Sequence, residues 1–404
     1  MSSHLLLALI YLAFISLGLP DGVLGVAWPA MRTGLAQPVE AAGLITMVVT
    51  GCSALSGFAS GWVLQRLHAG VVVTVSGGLT GLALTGFGFA PSFAWLLAAA
   101  IPLGLGAGAV DAAMNHFVAR HYSARHMNWL HGCWGVGATL GPVIMGVVLA
   151  HSVTADLGGA GAGAVGDWRQ GYLVIGALQL SLAVAFLFSL KRWTQAPPIV
   201  SNAASPVAPA RDARRPVPAI ALWLAPFLYF LYAAIEVGTS LWTATVLIEQ
   251  RHLSPATASA WVSCFFGAIM LGRFATGLVA ARWGNRRLVR SGLQLALAGA
   301  VLVSVGANVA VLPDGWMLVG LMALGLGCAP VYPSLMHEAA QRFDAATTQK
   351  VIGRQVGSAY IGCMVVPALM GLMGAAWGVA IIMPTIAACV VALLACTVWL
   401  DRIT

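Results

Sequence analysis

Twelve stretches of this chain run for about twenty residues or more as nearly continuous apolar sequence, the length needed to cross a bilayer as a helix. They fall at 5-32, 40-65, 70-90, 93-121, 125-151, 169-192, 218-247, 254-283, 286-308, 313-342, 348-376 and 378-400. Over the whole chain 60% of residues are hydrophobic and 8% charged, against roughly 25% charged in an ordinary soluble domain. No water-soluble fold hides that much apolar surface, so the stretches are spans and not core helices. A transmembrane barrel would show short alternating segments instead. The predicted class is therefore all-α integral membrane with twelve transmembrane helices. The first run carries no Lys or Arg ahead of it and continues past Pro20-Asp21 to Met31, so it is read as a retained span and not as a signal peptide.

The net charge of +8 follows topology. With the chain starting inside, Arg66, Arg120, Arg125, Lys191, Arg192, Arg282, Arg286, Arg287, Arg290, Arg342 and Arg354 fall on or near the inner side, and only Arg32, Arg169 and Arg251 lie outside. This distribution predicts a multi-pass protein of the inner (cytoplasmic) membrane with both termini cytoplasmic. The basic excess then calls for the lipid bilayer as partner and for no nucleic acid. Seven cysteines sit in the apolar runs without a CxxC pair, and read as small packing residues.

A Pro/Ala/Ser/Arg stretch after Lys191-Arg192 has no apolar periodicity. It divides the chain into a six-helix bundle over 1-192, a cytoplasmic linker over 193-217 and a second six-helix bundle over 218-404. A glycine/alanine run at 158-163 reads as an outer loop. The halves repeat each other. Ser56-Gly57-Phe58-Ala59-Ser60-Gly61 followed by Arg66 matches Gly272-Arg273-Phe274-Ala275-Thr276-Gly277 followed by Arg282, at a constant offset of 216. Gly104-Leu105-Gly106 matches Gly325-Leu326-Gly327, and Gly141-Pro142 sits where Val366-Pro367 sits. Two related halves of six helices are an arrangement that alternating-access transporters use.

The segment Gly277-Leu-Val-Ala-Ala281-Arg282-Trp-Gly284-Asn-Arg286-Arg287 resembles the loop motif of the major facilitator superfamily, Gly-x-x-x-Asp-Arg-x-Gly-Arg-Arg. Ala281 stands where the motif has Asp, and the first copy is weaker still, with Gln65 and His68 at the Asp and Gly positions. The resemblance implies a major facilitator fold in two six-helix pseudo-repeats. The missing carboxylate puts the motif's usual gating ion pair in doubt.

Ionisable groups inside a membrane are costly and usually mark pathways. Asp21, Asp111 and Glu236 lie near the middle of their runs and are the proton-coupling candidates, with a structural ion pair as the competing reading. Asp111 and Asn115 are one helical turn apart and face the same way. Gly104, Gly106 and Gly108 ahead of them suit close helix packing, not phosphate binding. Asp21 stands between Pro20 and Gly22, where the backbone is expected to kink or open. Substrate contacts are predicted for Asp111, Asn115, Asn128, His131, Trp134, Trp242, Tyr332, Gln355 and Tyr360. Arg66, Arg273, Arg282 and Glu338 are read as gating or structural, Arg273 and Glu338 being neutralised by a pair or network between second-half helices. Histidines 116, 121, 126 and 131 recur every five residues, which is not a helical face, so no metal site is predicted.

No GxxxxGK[ST] motif occurs, which leaves an ion or substrate gradient as the energy source. A carboxylate removed from water favours its protonated form and releases the proton on re-exposure, so proton is the expected coupling ion and no other cofactor is called for. The finer resemblance is to the fucose permease-like branch of the superfamily, the fucose-galactose-glucose:proton symporters. Asp21, Asp111-x-x-x-Asn115 and Ala329-Pro-Val-Tyr332-Pro333 fall at that branch's positions, with Asp for Glu at 111 and His116 for Pro as departures. Asn128-Trp-Leu-His131-Gly132 also looks like relatives without an assigned substrate. The expected protein is a monomeric, non-enzymatic secondary transporter of a small molecule. Proton-coupled symport of a sugar or similar polar solute is weighed there against proton-coupled drug or metabolite efflux.

Overall fold

The computed structural model describes residues 2–121, 124–156, 167–193, 217–309 and 311–404. The first half contributes α1 (Ser2–Gly18), α2 (Val23–Gly34), α3 (Ala41–Leu64), α4 (Ala69–Gly88), α5 (Phe93–His121), α6 (Ala124–Asp156) and α7 (Trp168–Trp193). The second contributes α8 (Ala221–Arg251), α9 (Pro255–Trp283), α10 (Asn285–Asn308), α11 (Gly315–Cys328), α12 (Val331–Arg342), α13 (Ala345–Trp377) and α14 (Ile382–Ile403). Twelve of these segments are long and apolar enough to cross a membrane, α1 with α2 forming the first and α11 with α12 the tenth. All twelve coincide with the apolar runs of the sequence. Helices answer the need, in lipid, for every backbone N–H and C=O to be satisfied within its own segment. Twelve crossings place residues 2 and 404 on one side, here named the terminal face, opposite the far face. The linker residues 194–216 and the run at 158–163 lie outside the described residues, whereas Trp193 closes α7 and packs its ring 5.1 Å from Phe117.

The two halves pack by one scheme. In the first, α3 meets α5, α4 meets α5 and α7, and α1 meets α6; in the second, α9 meets α11, α10 meets α11 and α14, and α8 meets α13. Glycines permit the same close approaches in both. A Cβ on Gly104 would lie 2.2 Å from the Val49 carbonyl oxygen of α3, and one on Gly325 would lie 2.5 Å from the Phe265 carbonyl oxygen of α9. The halves meet through α3 with α13, α6 with α9 and α2 with α8. At the far face, Arg32 of α2 pairs with Glu249 of α8 at 2.5 Å; nearer the middle of the span, Gly25 lies directly against the Ser240 backbone.

Both breaks fall at glycine or proline positions. Gly22 takes φ 74°, the left-handed region that favours glycine, and α1 stops at Gly18 before α2 restarts at Val23. The tenth span is interrupted at Ala329-Pro330, a break not expected from the sequence, because Pro330 offers no N–H to continue the ladder.

Candidate substrate and coupling site

Asp21 occupies the break between α1 and α2. Its carboxylate oxygen Oδ2 accepts the indole N–H of Trp134 on α6 at 2.7 Å. That contact depends on Gly18, whose absent Cβ would fall 2.2 Å from the Trp134 carbonyl oxygen, so α1 and α6 touch backbone to backbone there. From the second half, the Arg273 guanidinium of α9 stands 4.9 Å from the centroid of the Trp134 ring. Arg273 also donates to the Tyr232 hydroxyl at 3.3 Å and lies 3.6 Å from a carboxylate oxygen of Glu236, both on α8. The run Asp21–Trp134–Arg273–Glu236 thus crosses from one half to the other through a hydrogen bond, a cation–π contact and an ion pair. Phe266 of α9 closes one side, edge-on to Trp134 at 6.1 Å and against Gly22.

Asp111 and Asn115 form a second group on α5. The Asn115 amide donates to the Asp111 side-chain oxygen Oδ1 at 2.9 Å and to its backbone carbonyl at 3.0 Å. The donors of Asn115 are therefore turned back on its own helix, and its amide oxygen and the second oxygen of Asp111 remain as acceptors. Tyr332 and Tyr360 from the other half are electrostatic neighbours of Asp111. Tyr332 is positioned by Tyr229, whose hydroxyl donates to the Tyr332 carbonyl at 2.7 Å while the rings meet edge-on at 4.9 Å. Of the three carboxylates, Glu236 alone pairs directly with Arg273 among the described residues, while Asp21 lies within electrostatic reach of both Glu236 and Asp111.

The other residues singled out in the sequence separate. His131 packs edge-on to Phe14 at 5.6 Å and senses Arg273 electrostatically. Trp242, expected to line the cavity, is fully buried and donates its indole N–H to the Pro367 carbonyl at 2.9 Å. It therefore packs α8 against α13 in this structure. Gln355 is buried on α13, with its side-chain oxygen lacking a partner among the described residues. The Asn128 side chain lies outside the described residues, as do those of His116 and His121. His126 instead meets the Tyr11 hydroxyl at 2.8 Å.

Two matches to the profile of the Major Facilitator Superfamily, over residues 10–250 and 227–403, cover nearly the entire sequence. The chain belongs to the Major Facilitator Superfamily. It is accordingly a membrane transporter and not an enzyme. Among solved structures, a bacterial homolog to the human lysosomal transporter Spinster, inward-facing and occupied, superposes with a TM-score of 0.80 at 14% identity, over 99% of this chain and 97% of that one. The nucleoside transporter NupG gives 0.72 at 13% identity over 97% and 98%, and the peptide transporter POT in complex with sulfate gives 0.72 at 15% over 98% and 94%. These likenesses concern the fold. No curated protein matches the chain by sequence.

The loop motif shared with the Major Facilitator Superfamily leads to a separate charge network at the terminal face. Arg286 contacts Glu338 at 3.0 Å, Arg342 reaches Glu338 at 3.2 Å and also pairs with Asp401, and Arg290 pairs with Asp401 at 2.7 Å. Arg273 and Glu338, grouped together from the sequence, therefore belong to different clusters, because Arg273 lies some ten residues short of the end of α9, about 15 Å along a helix. Arg66 stacks on Trp62 at 3.7 Å, and Arg282 is exposed. Asp401 went unnoticed in the sequence, although an acid at the end of the last apolar run, level with Arg342, was the available signal. Glu249 was missed too, for want of any sequence mark linking it to Arg32.

Proposed function

We propose that the chain is a proton-coupled symporter of a sugar or similar small polar solute, working by alternating access as a monomer in the inner membrane with both termini cytoplasmic. The observation that carries this reading is the Asp21 carboxylate, held at a helix break by Trp134 and connected through Arg273 to Glu236. One guanidinium cannot neutralise three membrane-embedded carboxylates, and unpaired charge is expensive there. Protons supply the missing positive charge. Asp21 loads and releases the coupling proton, and Arg273 reports its charge state to the second half through Trp134 and Glu236.

Substrate binds between Asp111 and Asn115 on one side and Tyr332 and Tyr360 on the other. The free acceptors of Asp111 and Asn115 take sugar hydroxyls, and the tyrosines add hydroxyls and ring faces, the mixture that carbohydrate sites use. The likeness of Asp21, Asp111, Asn115 and Tyr332 to the fucose permease-like branch supports this choice. The excess of carboxylates also suits a cationic metabolite exchanged for protons, which is the second reading.

Proteoliposomes distinguish them. An inward sugar gradient alkalinises the outside under symport, whereas a lipophilic cation driven outward by a proton gradient marks an antiporter. Asp21→Asn is expected to abolish proton-driven accumulation and to retain exchange of preloaded substrate. Loss of both activities with normal folding assigns Asp21 to binding and removes it from coupling.

A further inference from the structure

At the terminal face the surface of α10 carries a polar group of which only Arg290 belongs to the charge network and none to the transport site. Arg287, Arg290, Ser291 and Gln294 follow one another at the spacing that keeps side chains on one helix face. With Trp283 at the end of α9 they line a hollow of about 460 Å³. The same face continues through Ala298, Val301 and Val305, all exposed and all apolar, which is the composition of a lipid-facing stripe. The hollow therefore opens towards lipid, not towards the Asp21–Glu236 cluster.

Two features of the hollow lack a protein partner. Arg287 is exposed and has no ion pair or hydrogen bond among the described residues, because Glu338 and Asp401 are already engaged by Arg286, Arg290 and Arg342. Gln294 is exposed without a hydrogen-bond partner among the described residues, roughly 13 Å along the helix from its start. An amide facing hydrocarbon at that depth is unfavourable unless something polar meets it. Arg290 leaves 44% of its side chain exposed beside Asp401 and can reach the same ligand. Trp283, 58% exposed, has the amphipathic ring that settles at the level of lipid headgroups.

We propose that this hollow binds an anionic phospholipid, its phosphate against Arg287 and Arg290, its glycerol and ester oxygens against Ser291 and Gln294, and an acyl chain along Val301 and Val305. Basic hollows between transmembrane helices suit such headgroups. The continuous apolar stripe below the arginines selects a lipid over a soluble phosphate, which would gain nothing from it.

Native mass spectrometry of the full-length protein, delipidated and then titrated with phosphatidylglycerol or phosphatidylcholine of identical chains, tests the assignment. The wild type is expected to retain phosphatidylglycerol about fivefold better for each arginine engaged. Arg287→Gln combined with Gln294→Leu removes most of that preference, whereas Arg66→Gln, which removes an arginine of the first half that lies outside the hollow, leaves it in place. Circular dichroism and size-exclusion profiles confirm that the variants fold. Equal retention of the two lipids by the wild type, or an unchanged preference in the double variant, overturns the proposal. Glycerol phosphate competing as well as the lipid does so too, by making the hollow a soluble-anion site.

Discussion

The indole N–H of Trp134 donates to the carboxylate of Asp21 at 2.7 Å, and the same indole ring receives Arg273 of the other half. One side chain therefore touches the coupling candidate of the first half and the only guanidinium among the described charges of the midplane cluster. Its two contacts can be separated. Trp134→Phe keeps a ring for Arg273 and deletes the hydrogen bond. A hydrogen bond to a charged group contributes about 1.5–3 kcal/mol, so proton-driven uptake in liposomes should fall by about tenfold or more, with helical content unchanged. Wild-type uptake by this variant would sever Trp134 from coupling.

Arg273 and Glu236 should behave as a coupled pair. Both are largely buried, with 16% and 13% of their side chains exposed. Breaking a buried pair from one side leaves an uncompensated charge and costs about 3–5 kcal/mol. Arg273→Leu alone is expected to lower the thermal midpoint strongly, and Glu236→Gln in the same chain to restore part of it. A double-mutant cycle should return a coupling of about 1–3 kcal/mol; additive effects would show that Tyr232 and Trp134, not Glu236, hold the guanidinium.

At the far face, the Arg32–Glu249 pair joins the halves about 10 Å along the helices from the contact of Gly25 with the Ser240 backbone. The pair is partly exposed and contributes at most about 1 kcal/mol. Glu249→Gln should therefore increase opening of this seam by no more than about fivefold. In a chain whose native cysteines are replaced, the alkylation rate of Ser240→Cys by an impermeant maleimide reads that opening. An unaltered rate would assign closure to the helix packing alone.

Trp242 provides the contrast with Trp134. Trp242→Phe deletes the bond to the Pro367 carbonyl across the α8–α13 contact, at a cost of about 0.5–1.5 kcal/mol. Stability should drop while substrate affinity stays put. A raised KM at unchanged thermal midpoint would return Trp242 to the binding site.

Much of this protein was legible before any coordinates. The twelve spans, the repeat at offset 216 and the break at Pro20-Asp21-Gly22 all depend on properties that a residue carries locally: apolar length, glycine and proline geometry, and the spacing of small residues. Membrane residence makes these signals strong, since lipid punishes any polar or irregular stretch lacking a reason. Asp21, Asp111 and Glu236 stood out for that same cause.

Partnership was not legible. Trp134 and Trp242 are the same residue in similar apolar runs, yet one N–H faces a carboxylate and the other a proline carbonyl, and only helix packing separates them. Arg273 and Arg282 share a helix, but the first lies under Trp134 and the second is exposed. Arg32 with Glu249, and Arg342 with Asp401, are brought together from distant parts of the chain by the way helices cross. The sequence by itself determined which segments enter the membrane and which residues are too polar to be there idly. The tertiary structure alone decided which of those charges meet, because ion pairs and hydrogen bonds act over a few ångströms and chain separation does not encode that distance.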